Sequence, residues 1–190
     1  MYVSETKNLE TATFANGCYW CTEAVFKRVK GVISVMSGYT GGTMENPTYS
    51  DVASKTTGHA EALQIQFDPS VISYGIILDI FWATHDPTTL NQQGYDVGPE
   101  YRSAIFYHDA EQKKIAENSK KRLDESEKYK NPIVTEIVPY KKFYPAEEEH
   151  RNFYESGNRP DYCRVIIDPK IRKLLAEFEN DVKEEYKENN

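Results

Sequence analysis

The stretch 59–67 alternates between two kinds of residue with the period of a β-strand. Successive side chains of a strand point to opposite faces, so residues two apart share a face. A strand with one apolar face belongs in a sheet that covers a hydrophobic core. The chain must therefore fold around a sheet, with a carboxyl group on its core-facing side. The residues of that side are Glu61, Leu63, Ile65 and Phe67.

Short strands and helices follow one another irregularly along the rest of the chain. This order favours an α+β fold, and we expect a two-layer α/β sandwich with a mixed, largely antiparallel, ferredoxin-like sheet. Loops are expected at 37–49, 86–100 and 140–145, and a solvated first helical turn at 147–149. The other predicted elements are strands at 11–15, 32–35 and 133–138 and near 101–107, and helices at 18–29, at 73–84, from 109 onwards and at 168–182.

Length and charge limit the kinds of protein that this chain can be. Its 190 residues, 39% of them hydrophobic, predict a single domain over 1–190. We expect the core of that domain at about 10–178, with frayed termini. The formal net charge of −7 repels phosphate backbones and anionic membrane surfaces, which disfavours nucleic acid and lipid as partners. No apolar run or leader-like segment directs the chain into a membrane, so we expect a cytoplasmic protein.

The three cysteines are an odd number, which does not fit the disulfide framework of a small secreted protein. Cys18 lies where a predicted strand turns into a predicted helix. The first turn of a helix lowers a thiol pKa, so Cys18 is predicted to be a nucleophile rather than a structural cysteine. With Cys21 it forms a C-x-x-C pattern, which is also typical of disulfide exchangers and of half a zinc site.

Six short segments stand in a fixed order along the chain: Gly17-Cys18-Tyr19-Trp20, Ser37-Gly38-Tyr39-Thr40-Gly41-Gly42, Asn46-Pro47-Thr48-Tyr49, Thr57-Gly58-His59-Ala60-Glu61-Ala62, His85-Asp86-Pro87-Thr88 and Tyr101-Arg102-Ser103-Ala104-Ile105. With them, the chain from Thr13 to about Lys173 resembles the A-type peptide methionine sulfoxide reductases. The resemblance implies an enzyme that reduces the S epimer of methionine sulfoxide, in oxidised proteins, in peptides or as the free amino acid. It also implies recycling by thioredoxin without a metal or an organic cofactor. We expect a monomer.

The resemblance further implies a set of site residues. Cys18 matches the nucleophile, which becomes a sulfenic acid, and Trp20 matches the ring against which the sulfoxide methyl group packs. Tyr19, where the family usually has phenylalanine, would form another wall of that pocket. Arg151 stands where the family commonly has glutamine, so its segment is given no role. The groups implied around the sulfoxide oxygen are Glu61, Tyr49 and Tyr101, with Asp96 as a further pocket acid.

Glu61 also has a role that follows from its strand face alone. The sulfoxide oxygen must gain a proton as the thiol attacks, so the site needs an acid that is still protonated near pH 7. A carboxyl group on an apolar face is partly desolvated, which raises its pKa. The alternative is a strand-end glutamate that reaches solvent. The histidines of the motifs, His59 and His85, are expected to be structural.

A second thiol must condense with the sulfenic acid before thioredoxin can act. Cys21 is near Cys18 by covalent geometry, but a C-x-x-C pair closes only where the turn accepts disulfide dihedrals. Cys163 follows Gly157-Asn158-Arg159-Pro160, a stretch expected to be mobile, and resembles the C-terminal recycling cysteine of many family members. We favour Cys163 as the resolving cysteine, with Cys21 as the alternative.

Two other functions remain open from the sequence. The first is a general dithiol oxidoreductase that uses Cys18 and Cys21, although this leaves Tyr49, Glu61 and Tyr101 without a role. The second is a non-enzymatic zinc-binding module. Its four ligands would be Cys18, Cys21, Cys163 and His150.

Overall fold

A computed structural model describes residues 8–157 and 160–187, which hold eight strands and six helices. A π-helical turn, Cys163–Ile167, joins the last two helices. The strands are β1 (Glu10–Asn16), β2 (Val32–Thr40), β3 (Ala60–Phe67), β4 (Gln92–Gln93), β5 (Asp96–Val97), β6 (Ser103–Tyr107), β7 (Glu136–Pro139) and β8 (Phe143–Pro145). The helices are α1 (Tyr19–Phe26), α2 (Tyr49–Ala53), α3 (Tyr74–Ala83), α4 (Ala110–Glu125), α5 (Pro160–Tyr162) and α6 (Asp168–Glu177).

Six of the strands form one sheet in the order β7-β6-β1-β3-β2-β8, and β4 pairs with β5 in a separate short hairpin. All neighbours in the large sheet are antiparallel except β6 and β7, which are parallel. The predicted combination of helices with a mixed, largely antiparallel sheet is confirmed. Among the described residues, every helix is too short or too polar to traverse a bilayer.

The larger hydrophobic core lies between the helices and one face of the sheet. Phe14 of β1 is at its centre, with its ring centroid 4.9 Å from that of Phe81 on α3 and 6.0 Å from that of Phe26 on α1. Leu63 and Ile65 of β3 are fully buried in the same core, which confirms the apolar face predicted for 59–67. A smaller cluster on the opposite face contains Ala15, Ala60, Ala62, Ala104 and Phe106.

Two predicted helix starts are confirmed by their capping contacts. The Ser73 hydroxyl accepts a hydrogen bond from the Ile76 N–H at 3.2 Å, ahead of α3. The Asp109 carboxylate accepts one from the Gln112 N–H at 2.8 Å, ahead of α4. Side-chain oxygens at these positions satisfy amides that have no partner within the helix.

All three predicted loops contain regular structure, so those predictions are wrong. The stretch 86–100 contains the hairpin of β4 and β5. The stretch 37–49 begins with the end of β2, where Gly38 is needed for a close approach of two strands: a Cβ atom there would lie 2.3 Å from the Tyr144 carbonyl oxygen. That approach pairs β2 with β8, which lies inside the predicted loop 140–145. The stretch 37–49 also leads into α2, whose start is fixed by a capping box between Thr48 and Asp51.

The C-terminal part also differs from the prediction. Glu148 and Glu149 are exposed at the start of a 3-10 turn, Glu148–His150, as predicted. Glu147 departs from the prediction, because it precedes that turn and its partly buried carboxylate accepts hydrogen bonds from two tyrosines. The last helix ends at Glu177 rather than at 182, since the chain turns there and Val182 pairs with Val29. A 3-10 turn follows at Glu184–Tyr186 instead of a frayed end. Residues 1–7 and 188–190 of the predicted frayed termini lie outside the described residues.

Candidate active site

Cys18 lies at the junction of β1 and α1, as predicted. Gly17 turns the chain between them with a φ of +99°, a left-handed conformation that favours glycine. A Cβ atom at Gly17 would also lie 2.7 Å from Cγ of Gln93, which packs against the turn. Cys18 is the residue that caps α1, and its carbonyl oxygen accepts a hydrogen bond from the Cys21 N–H at 3.1 Å.

The Cys18 thiol is enclosed by protein, with 7% of the residue exposed. Burial, the hydrogen bond with Cys21 and the charge of Glu61 raise the pKa of Cys18 well above its ordinary value. The lowered pKa predicted from the helix N-terminus is therefore wrong, because desolvation of the thiolate is the larger effect. The hydrogen bond from Cys18 instead lowers the pKa of Cys21 to about 7.

Glu61 lies beside Cys18 on the central strand β3. Its Oε2 accepts a hydrogen bond from the Tyr19 N–H at 3.0 Å, and 3% of the residue is exposed. Burial raises the pKa of Glu61 to about 8; the Tyr19 amide opposes that rise, and the charge of Asp96 adds to it. Glu61 therefore carries a proton at pH 7, as its strand face predicted.

Tyr101, Tyr49 and Asp96 approach Glu61 from three different segments. Tyr101 ends the 3-10 turn before β6, Tyr49 begins α2, and Asp96 lies on β5. Burial raises the pKa of the Tyr101 hydroxyl, and the charges of Glu61, Tyr49 and Asp96 act in the same direction. Because such charge effects decline with distance, these groups lie close together. The structure thus assembles the residues predicted around the sulfoxide oxygen.

Trp20 belongs to a layer of aromatic rings next to Cys18. Its ring stacks on Phe153 with centroids 3.7 Å apart and planes 6° apart, and the edge of Tyr162 meets it at 5.9 Å. Tyr19 is almost fully buried, and its hydroxyl lies 3.2 Å from the hydroxyl of Tyr39. Trp20 and Tyr19 can therefore line an apolar pocket, and Phe153 already covers one face of Trp20.

The sequence did not predict several members of this site. The Tyr162 hydroxyl donates to Asp96 Oδ2 at 3.3 Å and lies 3.8 Å from Cys21 Sγ. The His150 ring stacks on Tyr49 with centroids 4.4 Å apart, although His150 was predicted only as a metal ligand. Isolated aromatic residues form no periodic pattern in a sequence. For Tyr162, the only available signal was therefore its position next to Cys163. The missed residues are Tyr39, Glu147, His150, Phe153 and Tyr162.

Both candidate resolving cysteines belong to the same buried cluster as Cys18. Cys21 lies close enough to Cys18 for each thiol to shift the pKa of the other, and Cys18 has non-helical backbone angles. Cys163 lies in the π-helical turn, close enough to Cys21 for the Cys21 charge to add to the rise that burial produces in its pKa. Asn158 and Arg159, on which the predicted mobility of this segment rested, lie outside the described residues.

The two histidines of the motifs, His59 and His85, bind backbone atoms, as predicted. His59 Nδ1 accepts a hydrogen bond from the Gly42 N–H at 3.0 Å. His85 contacts the Phe81 carbonyl oxygen at 2.6 Å, and burial lowers its pKa to about 3. Within residues 8–157 and 160–187, no three His, Cys, Asp or Glu side chains stand close enough to share a metal ion. The zinc ligand set considered above is therefore not assembled there.

A cysteine at a helix start, beside a protonated carboxyl group and two tyrosine hydroxyls, defines an enzyme that combines thiol chemistry with proton transfer. Comparison with known proteins identifies the family. The family model described as "Peptide methionine sulfoxide reductase" matches residues 10–183. A relative from Sulfolobus acidocaldarius, named peptide methionine sulfoxide reductase MsrA, is 54% identical over 170 residues, which are 90% of this chain and 96% of the relative.

Solved structures give the same result. Mxr1 from Saccharomyces cerevisiae in reduced form is similar with a TM-score of 0.74 and 31% identity, over 82% of this chain and 89% of that one. Mxr1 in complex with Trx2 is similar with a TM-score of 0.53 and 25% identity, over 80% and 89% of the two chains. The chain belongs to the peptide methionine sulfoxide reductase family, whose members are oxidoreductases that use thiols to reduce methionine sulfoxide.

The raised pKa of Glu61 predicts how stability depends on pH. Between the ordinary value of 4.5 and about 8, the folded chain binds more protons at Glu61 than the unfolded chain does. The stability contribution of Glu61 is thus complete below pH 4.5 and is lost as the pH rises to 8. Glu61→Gln does not titrate, so its free energy of unfolding relative to wild type should increase by a few kcal/mol between about pH 5 and 8.

Urea unfolding under reducing conditions at several pH values measures this difference. Glu148→Gln, a change at an exposed glutamate, is the matched control and should show no such trend. A constant difference between Glu61→Gln and wild type across this range would contradict a raised pKa.

Proposed function

We propose that this chain reduces the S epimer of methionine sulfoxide to methionine, in oxidised proteins, in peptides or as the free amino acid. One observation carries the proposal: the hydrogen bond from the Tyr19 amide to Glu61 holds a proton-bearing carboxyl group beside the Cys18 thiol. A thiol and an acid are the two groups that removal of a sulfoxide oxygen requires. The family match supports the same reaction.

In the first step, Cys18 is oxidised and the sulfoxide is reduced. The Cys18 sulfur attacks the sulfoxide sulfur while Glu61 gives its proton to the sulfoxide oxygen. The oxygen then passes to Cys18 as the sulfur–oxygen bond of the substrate breaks. Cys18 becomes a sulfenic acid, methionine leaves, and the proton of the thiol returns to Glu61. Because the Cys18 pKa is raised, that proton must leave during the attack rather than before it.

The remaining site residues would orient the substrate. Tyr101 keeps its proton because burial raises its pKa, so its hydroxyl can donate to the sulfoxide oxygen together with that of Tyr49. Trp20 and Tyr19 would form the apolar pocket for the methyl group. Asp96, oriented by the Tyr162 hydroxyl, would bind the substrate beyond the oxygen.

A second thiol then condenses with the Cys18 sulfenic acid, which releases water and forms a disulfide. The shared buried cluster of Cys18 and Cys21, and the non-helical backbone of Cys18, support Cys21 as the first partner. Cys163, which lies near Cys21, would then exchange with this disulfide or, as predicted from the sequence, resolve the sulfenic acid directly. Either route leaves one disulfide for an external dithiol to reduce.

We propose thioredoxin as that dithiol, and the similarity to Mxr1 in complex with Trx2 supports this choice. The steps above balance with thiols alone, so no metal or organic cofactor is proposed. We propose the cytoplasm as the compartment; the odd number of cysteines supports a reducing one. We further propose that the chain is a monomer with one catalytic domain. For its fold we propose a two-layer, ferredoxin-like sandwich, which is supported by the antiparallel strand order β6-β1-β3-β2 with α1 and α3 on one face.

A general dithiol oxidoreductase is the second candidate. The lowered pKa of Cys21, about 7, favours it, because such a thiol is partly ionised at neutral pH and its thiolate can attack disulfides. Insulin reduction without activity on methionine sulfoxide would decide for this candidate.

The first prediction of this proposal concerns Cys18→Ser. A hydroxyl group cannot become a sulfenic acid, so the variant should lose all reduction of a blocked methionine sulfoxide while it keeps its fold, because one small side chain changes. Chromatography of the separate S and R epimers before and after reaction measures this loss, and circular dichroism checks the fold. Wild type should consume the S epimer alone. Turnover by Cys18→Ser, or equal consumption of both epimers by wild type, would contradict the proposal.

Glu61→Gln tests the proton donor. An amide keeps the shape of the side chain but cannot transfer a proton, so sulfenic acid formation should slow by roughly a hundredfold or more. Stopped-flow measurement of a single turnover isolates this step from recycling. Glu148→Gln, with the same change on the surface, should react at the wild-type rate. A wild-type rate in Glu61→Gln would exclude Glu61 as the acid.

Disulfide mapping tests the order of the thiols. Wild type, Cys21→Ser and Cys163→Ser are each treated with one equivalent of substrate, and peptide masses identify the linked cysteines. We expect Cys163→Ser to form a Cys18–Cys21 disulfide because those two thiols lie in one buried cluster and interact electrostatically. Accumulated sulfenic acid in Cys163→Ser would instead support direct resolution by Cys163.

A further inference from the structure

Glu147 connects three parts of the site that are distant in sequence. Its Oε1 accepts a hydrogen bond from the Tyr49 N–H at 2.7 Å, at the start of α2. Its Oε2 accepts one from the Tyr39 hydroxyl at 2.9 Å, near the end of β2. Glu147 itself follows β8, ahead of the segment that carries His150 and Phe153. Both oxygens of one carboxylate are thus used to join separate elements.

The direction of these hydrogen bonds is fixed by charge. Burial alone would raise the pKa of Glu147, but the Tyr49 amide, its own amide and the Tyr39 hydroxyl together lower it. The carboxylate is therefore ionised at neutral pH and can only accept. Tyr39 must donate to Glu147, so its oxygen accepts from the Tyr19 hydroxyl at 3.2 Å. Tyr19, which stands where the family usually has phenylalanine, is thus the first donor in a series of hydrogen bonds that runs through Tyr39 to Glu147.

We propose that Glu147 is a positioning residue for Tyr49, because it fixes the point from which the Tyr49 side chain reaches the sulfoxide oxygen. This inference rests on the oxygen-binding role proposed above for Tyr49. Thr48 caps α2 by accepting from the Asp51 amide, which leaves the Tyr49 amide for Glu147. The stack of His150 on Tyr49, with centroids 4.4 Å apart, attaches the same segment to the tyrosine ring.

Glutamine at position 147 isolates this role from simple loss of packing. It keeps the size of the side chain but offers one acceptor oxygen and one donor NH₂ group. The Tyr49 amide can only donate, so in Glu147→Gln the amide oxygen must face Tyr49 and the NH₂ group must face Tyr39. The hydrogen bond from Tyr39 is then lost or reversed, and the charge that both donors bind is removed. Glu148→Gln and Glu149→Gln remove the same charge from exposed neighbours and are the matched controls.

The experiment measures single-turnover rates and substrate affinity for Glu147→Gln, Tyr49→Phe and the double variant. We expect Glu147→Gln to lower the rate by roughly tenfold, which corresponds to a poorly placed donor in the transition state, with affinity changed by less than about twofold. The controls should match wild type. In the Tyr49→Phe background, Glu147→Gln should have no further effect beyond about twofold, because the two residues act through one group.

Equal effects of Glu147→Gln with and without the Tyr49 hydroxyl would overturn the inference, and so would a wild-type rate in Glu147→Gln. If Tyr49→Phe itself reacts at the wild-type rate, the proposed role of Tyr49 fails. A slower rate in Glu147→Gln would then show that Glu147 acts by another route, which overturns its positioning role. If Glu147→Gln folds poorly, Tyr39→Phe provides the same test. It removes one donor to Glu147, and its smaller rate loss should likewise disappear in the Tyr49→Phe background.

Discussion

The burial of one carboxyl group on the central strand is the constraint on which the rest of this molecule depends. Glu61 can remain on β3 because it is protonated and because the Tyr19 amide donates to it. That hydrogen bond also links the start of α1 to the middle of the sheet. The helix, its capping cysteine and the buried acid therefore form one unit. The contact that stabilises the fold also holds the proposed nucleophile beside the proposed proton donor.

A layer of tyrosines and other rings surrounds this unit and controls where protons can move. Tyr19 and Tyr39 are buried with their hydroxyls hydrogen-bonded to each other, and the Tyr39 hydroxyl donates to the Glu147 carboxylate. Tyr162 links Asp96 to Cys21 on the other side. Every one of these hydroxyls has a raised pKa, so all of them remain donors at neutral pH. This pattern supports the carboxyl group of Glu61 as the proposed proton donor.

The sequence predicted those features that repeat or that stand at an element boundary. The alternation around Leu63 and the cap at Ser73 identified β3 and α3, and the junction at Gly17 located Cys18. Contacts between distant segments left no such local pattern, which is why β8 and the roles of Glu147 and Tyr162 were missed. The predicted lowering of the Cys18 pKa was wrong for a related reason. A position at a helix start can be recognised in a sequence, whereas the burial that outweighs its effect depends on the whole fold.

The burial of Cys18 affects how well its thiol resists oxidation by peroxides. Peroxides that convert methionine to its sulfoxide also oxidise cysteines, and they react with exposed thiolates far faster than with buried thiols. Cys18 is 7% exposed and keeps its proton until a substrate enters. The proposed nucleophile therefore rests in a form that peroxides attack slowly, which preserves it under the conditions that produce methionine sulfoxide.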